Sequence, residues 1–152
     1  MGVRQPGVRG EPKPRKEAKA GFDPDDFARK PLSWRMGLVD WGGNWGWAKL
    51  DDGHVANLHR QMKNCEGETL AELKHRKRAK PIPITQICRE AQGRLPTIGL
   101  GDRSELWELR FGYGKWRAWG IVEGSTFNLV WWDPEHTVCK GAEMPKNARR
   151  IR

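Results

Sequence analysis

The period of the hydrophobic positions changes along the chain. Trp34-Arg35-Met36-Gly37-Leu38-Val39-Asp40-Trp41 is strand-like, Gly42-Gly43-Asn44 marks a tight turn, and Trp45-Gly46-Trp47-Ala48-Lys49-Leu50 reads as a returning strand. The spacing of Val55, Leu58 and Met62, behind Asp51 and Asp52 as N-cap candidates, predicts a first helix. Thr69-Leu70-Ala71-Glu72 has the form of a capping box, in which each side chain satisfies the other's free amide. The helix it opens runs through Lys74-His75-Arg76-Lys77-Arg78, and Pro81 and Pro83 punctuate its end. Ile84, Ile87, Cys88, Ala91 and Leu95 form the apolar stripe of a third helix, stopped by Pro96 and Gly99.

From Ser104 the period falls to two. Leu106–Phe111, Trp116–Val122 and Phe127–Trp132 read as three strands, joined by two four-residue hairpin loops. The order predicts an α+β domain with a small, mostly antiparallel sheet and two or three helices packed on one face. Pairing Leu109 with Ala118 and Ala118 with Trp131 sorts the side chains. Trp107, Leu109, Phe111, Trp116, Ala118, Gly120, Val122, Phe127, Leu129 and Trp131 then share the core face. Glu108, Arg110, Lys115, Arg117, Trp119, Asn128, Val130 and Trp132 share the other, with Arg110 opposite Arg117.

The flanks differ in composition. Residues 1–30 carry 8 basic and 5 acidic groups in a Gly- and Pro-rich setting, and residues 140–152 carry 5 and 1, whereas 31–139 carry 15 and 13. A nearly balanced domain (33–140) is therefore expected between a disordered basic N-terminal tail (1–32) and a basic C-terminal tail (141–152). The net charge of +9 points to a polyanionic partner, nucleic acid before membrane. No apolar run is long enough for a transmembrane helix, and no apolar h-region follows Met1, so neither membrane nor export is expected. Cys65, Cys88 and Cys139 are odd in number and far apart, which fits a reducing cytoplasm. No metal or cofactor is expected: His54, His59 and Cys65 lack ligand spacing, and no phosphate-binding glycine loop or hydrolase elbow is present.

The polar face carries the candidate chemistry. Like charges directly opposed on a sheet repel, so Arg110 and Arg117 need either a bridging Glu108 or a bound anion. With Trp119 and Trp132 beside them they make a phosphate-and-stacking surface for single-stranded nucleic acid, unless those indoles lie beneath the N-terminal hairpin. The Asp133-Pro134 bend brings Glu135 and His136 to the rim of that face, where a histidine can act as a general acid. Lys115 and the run containing Lys74, Arg76, Lys77 and Arg78 supply further phosphate contacts, or simply a solvated helix face.

The segment LWELRFGYGKWRAWGIVEGSTFNLVWWDPEHTVCK (106–140) is similar to a group of uncharacterised actinobacterial and actinophage proteins that end in L-W-W-D-P-x-H-x-V. At lower resolution the layout over 34–140 resembles the RelE/ParE toxin superfamily. That resemblance implies a β-α-α-β-β-β fold, Arg110 and Arg117 as phosphate-binding arginines, His136 as terminal general acid and Glu108 as base. The chain departs from the pattern in its extra Trp-rich hairpin, its third helix and the missing tyrosine near the terminal histidine. The resemblance implies an RNA endonuclease of the mRNA-interferase type, ribosome-dependent or not, with an acidic antitoxin-like partner. The competing expectation is a non-enzymatic phage or host factor that docks RNA, ribosome or protein on the same face. Nine tryptophans in a small domain also suit self-association.

Overall fold

The computed structural model describes residues 29–112 and 114–139; most of the two expected tails lies outside them. Five strands form one mixed sheet in the order β1-β5-β4-β3-β2. They are β1 (Ser33–Arg35), β2 (Ala79–Pro83), β3 (Glu105–Arg110), β4 (Arg117–Glu123) and β5 (Thr126–Asp133). β1 runs parallel to β5, and every other pairing is antiparallel. Three helices, α1 (Asp52–Cys65), α2 (Leu70–His75) and α3 (Arg89–Thr97), complete an α+β architecture.

Local chemistry sets the helix ends. Asp51 caps α1 by accepting from the His54 amide at 2.7 Å. Thr69 and Glu72 form the capping box at α2, with bonds of 2.9 and 3.1 Å. α2 ends in a Schellman motif: the Arg78 amide reaches the Leu73 carbonyl at 2.8 Å and the Lys77 amide that of Lys74 at 2.9 Å. Lys77 therefore takes the left-handed conformation, φ 62°, that such a turn normally gives to glycine.

Three expectations are corrected. The Trp34–Trp41 and Trp45–Leu50 segments are not a hairpin. Only Ser33–Arg35 is a strand; the chain then runs along the β5 edge, the Asp40 amide donating to Val130 and the Trp132 amide to Trp45, each at 3.0 Å. Pro81 and Pro83 do not merely close a helix: they sit in β2, at the edge of the sheet, where a missing N–H is harmless and blocks pairing with a further strand. The apolar stripe beginning at Ile84 starts as a 3-10 turn, Ile84–Gln86, before α3.

The helices also do not share one face. The register of β3 with β4 is as the alternation predicts, including Arg110 opposite Arg117, and Gly120 faces Leu129. Between Trp119 and Gly120 the β4–β5 pairing then shifts, so that Ala118 faces Trp132 and Trp119 faces Trp131. This β-bulge moves Trp131 and Trp132 to faces opposite to those expected. One core gathers Leu109, Phe111, Ala118, Phe127, Leu129 and Trp132 with Leu58 and Cys65 of α1 and Leu70 and Leu73 of α2. The second gathers Leu106, Trp119, Ile121, Val130 and Trp131 with Ala91 and Leu95 of α3 and with Trp45. Both faces are thus covered. Gly120 is required at the shift, because a Cβ there would run into the Asn128 carbonyl and the Phe127 ring.

Candidate functional site

Burial in the two cores, Trp119 in the second and Trp132 in the first, removes two of the expected contacts. Trp119 is fully buried and its indole donates to Asp133 Oδ2 at 3.2 Å. Trp132 is 4% exposed and packs edge-on to Trp116 and His54. Neither indole can stack a base, so the expected nucleic-acid contacts of Trp119 and Trp132 are corrected: both side chains are core. Among the described residues the most exposed tryptophan is Trp41, at 65%.

The polar residues do converge. At the corner formed by the C-terminal ends of β3 and β5 and the start of β4, Glu108 Oε2 lies 3.1 Å from His136 Nε2 and 3.6 Å from Arg117 Nε. An ionised carboxylate only accepts, so Nε2 carries the ring proton toward Glu108. Nδ1 has no partner among the described residues and stays available. Glu108 and Arg117 are each 5% exposed. Arg117 Nη1 donates to the Gly114 carbonyl at 2.8 Å and the Trp116 carbonyl at 3.0 Å. Burial lowers its pKa, Glu108 opposes that shift, and the charge of Arg110 adds to it. Arg110 is exposed, and its guanidinium makes no hydrogen bond or ion pair among the described residues. Lys115 is exposed too and faces Glu135 at 3.9 Å.

The bend that delivers His136 is built by Asp133. This fully buried carboxylate accepts from the amides of Thr137 at 2.8 Å and Val138 at 3.0 Å, besides the Trp119 indole. Trp45 Nε1 fastens the same turn through Thr137 Oγ1 at 2.8 Å. His136 is thereby held at φ 58°, a left-handed conformation that costs a non-glycine residue about 1–3 kcal/mol and persists only where its surroundings impose it. The sequence pointed to the bend at Asp133-Pro134 and to Trp45 in a strand, but not to the amides and indole that Asp133 binds or to the Trp45–Thr137 bond. The available signal was Asp-Pro, with an acidic side chain able to bond the amides a few residues on.

The basic run is divided. Arg76 is ion-paired with Glu68, and Arg78 lies 4.0 Å from the same carboxylate while donating to the Arg110 carbonyl at 3.3 Å. Lys74 Nζ sits 5.7 Å from the centre of the Trp107 ring, a cation–π contact. Lys77 is exposed and without an ion pair among the described residues. Also among the described residues, no group of three or more His, Cys, Asp or Glu side chains is placed to hold a metal, and no helix is long and apolar enough to cross a membrane. No protein-family model, curated protein or solved structure matches the chain.

Proposed function

We propose that the chain binds RNA and cleaves it at the Glu108–His136 corner, as a relative of RelE/ParE-type mRNA endonucleases, with chemistry that needs no metal. The observation that carries this reading is the meeting of His136, Glu108 and Arg117 at one corner, with the exposed Arg110 opposite Arg117 in the sheet and near enough for its charge to act on it. Roles change from those the resemblance implies. Glu108 is too buried to meet a ribose hydroxyl, so it positions His136. His136 Nδ1 takes the proton of the 2′-hydroxyl as its oxygen bonds to phosphorus, and returns it to the 5′-oxygen as the P–O5′ bond breaks. Arg110 stabilises charge on the phosphoryl oxygens. Arg117 is committed to Glu108 and to two carbonyls, and acts by holding the carboxylate. Lys74, Lys77 and Lys115 add salt-dependent affinity for the backbone.

The test is incubation of the purified protein with RNA, with and without ribosomes. Cleavage to a 2′,3′-cyclic phosphate is expected, reduced about 100-fold or more by Arg110→Ala and abolished by His136→Ala. Undiminished cleavage by His136→Ala would sink these roles. A second reading, docking of RNA or ribosome without turnover, is favoured by one specific feature, the internal pairing of Arg117. It predicts RNA binding that survives His136→Ala, no cleavage, and no toxicity on expression.

A further inference from the structure

A separate cleft of about 370 Å³ opens between α1 and the end of β3, lined by Gln61, Asn64, Arg78, Arg110 and Gly112. Its size lies within the range of small-ligand sites. Gln61 and Asn64 are one turn apart on α1 and so project side by side. Neither side-chain amide is hydrogen-bonded to a described residue, although each can both donate and accept. Gly112, at φ 63°, lets Gln61 approach closely: a Cβ there would stand 3.2 Å from Gln61 Nε2. The Arg78 guanidinium is fixed at the wall by the Arg110 carbonyl, 3.3 Å from Nη2. Arg110 borders this cleft through the carbonyl that holds Arg78, while its charge acts on Arg117 at the corner.

We infer that this cleft is a base-reading subsite for guanine in single-stranded RNA; the inference rests on the RNA-binding reading above and names the nucleotide it selects. A guanidinium only donates, so the Arg78 wall of the cleft requires acceptors. Guanine presents two adjacent ones, N7 and O6, whereas adenine places an amino donor beside N7. The opposite edge of guanine presents N–H donors, which the carbonyl oxygens of Gln61 and Asn64 can accept. An unpaired base swung out of a single strand exposes both edges at once. An acidic peptide would satisfy Arg78, but its backbone N–H donors are spaced along the chain, whereas guanine presents N1–H and the 2-amino group side by side, as Gln61 and Asn64 are.

The experiment is fluorescence anisotropy with 2′-O-methyl oligoribonucleotides, which resist transesterification. Three are compared: adenine only, alternating adenine and guanine, and alternating adenine and hypoxanthine, which lacks the 2-amino donor. The guanine oligomer is expected to bind tenfold or more tighter than the adenine one, with hypoxanthine between them. Gln61→Ala/Asn64→Ala should bring the guanine oligomer down to the adenine level. Equal affinities for the three, or a preference that survives the double substitution, would overturn the guanine subsite while leaving RNA binding intact. Failure of all three to bind would overturn the RNA reading and this inference with it. Polyglutamate should displace the guanine oligomer more readily from the double variant than from the native chain, because the variant loses the base contacts and keeps every arginine. Gln61- and Asn64-dependent binding of polyglutamate would instead assign the cleft to an acidic peptide.

Discussion

Replacing Lys77 by glycine should move stability and RNA affinity in opposite directions. Lys77 is the left-handed residue of the Schellman turn that ends α2, at φ 62°. An L-residue pays about 1–2 kcal/mol in that region. Glycine relieves that strain but gives the unfolded chain more freedom, a loss of about 0.5–1 kcal/mol. The net gain is therefore about 0–1.5 kcal/mol, or up to roughly 5 °C in Tm for a domain of this size. The same substitution removes an exposed cation, so the slope of log K against log salt for single-stranded RNA should become shallower by about 0.7. Thermal unfolding by circular dichroism and a salt titration of RNA binding read the two effects. A lower Tm for Lys77→Gly would refute the strain argument. A higher Tm with an unchanged salt slope would refute the assignment of Lys77 to the phosphate-contacting edge.

Three further comparisons examine the framework beneath the site. Glu108→Gln leaves the Arg117 charge buried without its counter-ion and should cost about 3–5 kcal/mol in urea unfolding, while Glu108→Leu/Arg117→Leu should cost less because no uncompensated charge remains. Gly120→Ala drives a Cβ against the Asn128 carbonyl and should destabilise by several kcal/mol, visible as loss of the folded protein on expression, whereas Gly53→Ala, with only the Asp51 carboxylate 3.5 Å away, should be tolerated. Asp40 accepts from Arg94 at 2.7 and 2.9 Å, and these bonds first, with the Trp131 indole, hold its pKa below the ordinary carboxylate value against the opposing effect of burial. A depressed folded pKa means that the unfolded chain takes up the proton first as the pH falls. The stabilisation is complete above the unfolded value of about 4 and drains away below it. Urea midpoints should thus separate the native chain from Asp40→Asn at pH 7 and converge toward pH 2; a gap independent of pH would contradict the assignment.

Much of the C-terminal half was legible because strict alternation and turn residues act locally. The β3–β4 register, with Arg110 against Arg117, follows from counting outward from the hairpin. The β4–β5 register failed beyond Gly120 because a bulge preserves the sequence pattern while displacing every later residue by one. Trp131 and Trp132 are equally apolar, so nothing in their identities signalled that the two would exchange faces. The Trp34–Leu50 stretch misled for a different reason. Its strand-like composition reflects pairing to the β5 edge and packing of Trp45 on Trp131, 5.3 Å between ring centres, not pairing with itself. β2 was hidden by its prolines, which argue against a strand everywhere except at an edge.

Of the candidate site, the bend at Asp133-Pro134 could be read and the covering of the sheet could not. That covering gives the corner its meaning. A bare polar face would leave Glu108, Arg117 and Trp119 dispersed in water, where an ion pair is worth little and fixes nothing. Once α3 and the Trp45 segment close over Trp119 and Trp131, the polar residues at the strand ends lie against low-dielectric walls. There Glu108 holds both Arg117 and His136, and Asp133 fixes the backbone that carries the imidazole. The two faces of the sheet are therefore not a core and an active surface. They are two cores, and the proposed chemistry falls where their coverings stop short, at Arg110 and the ring of His136.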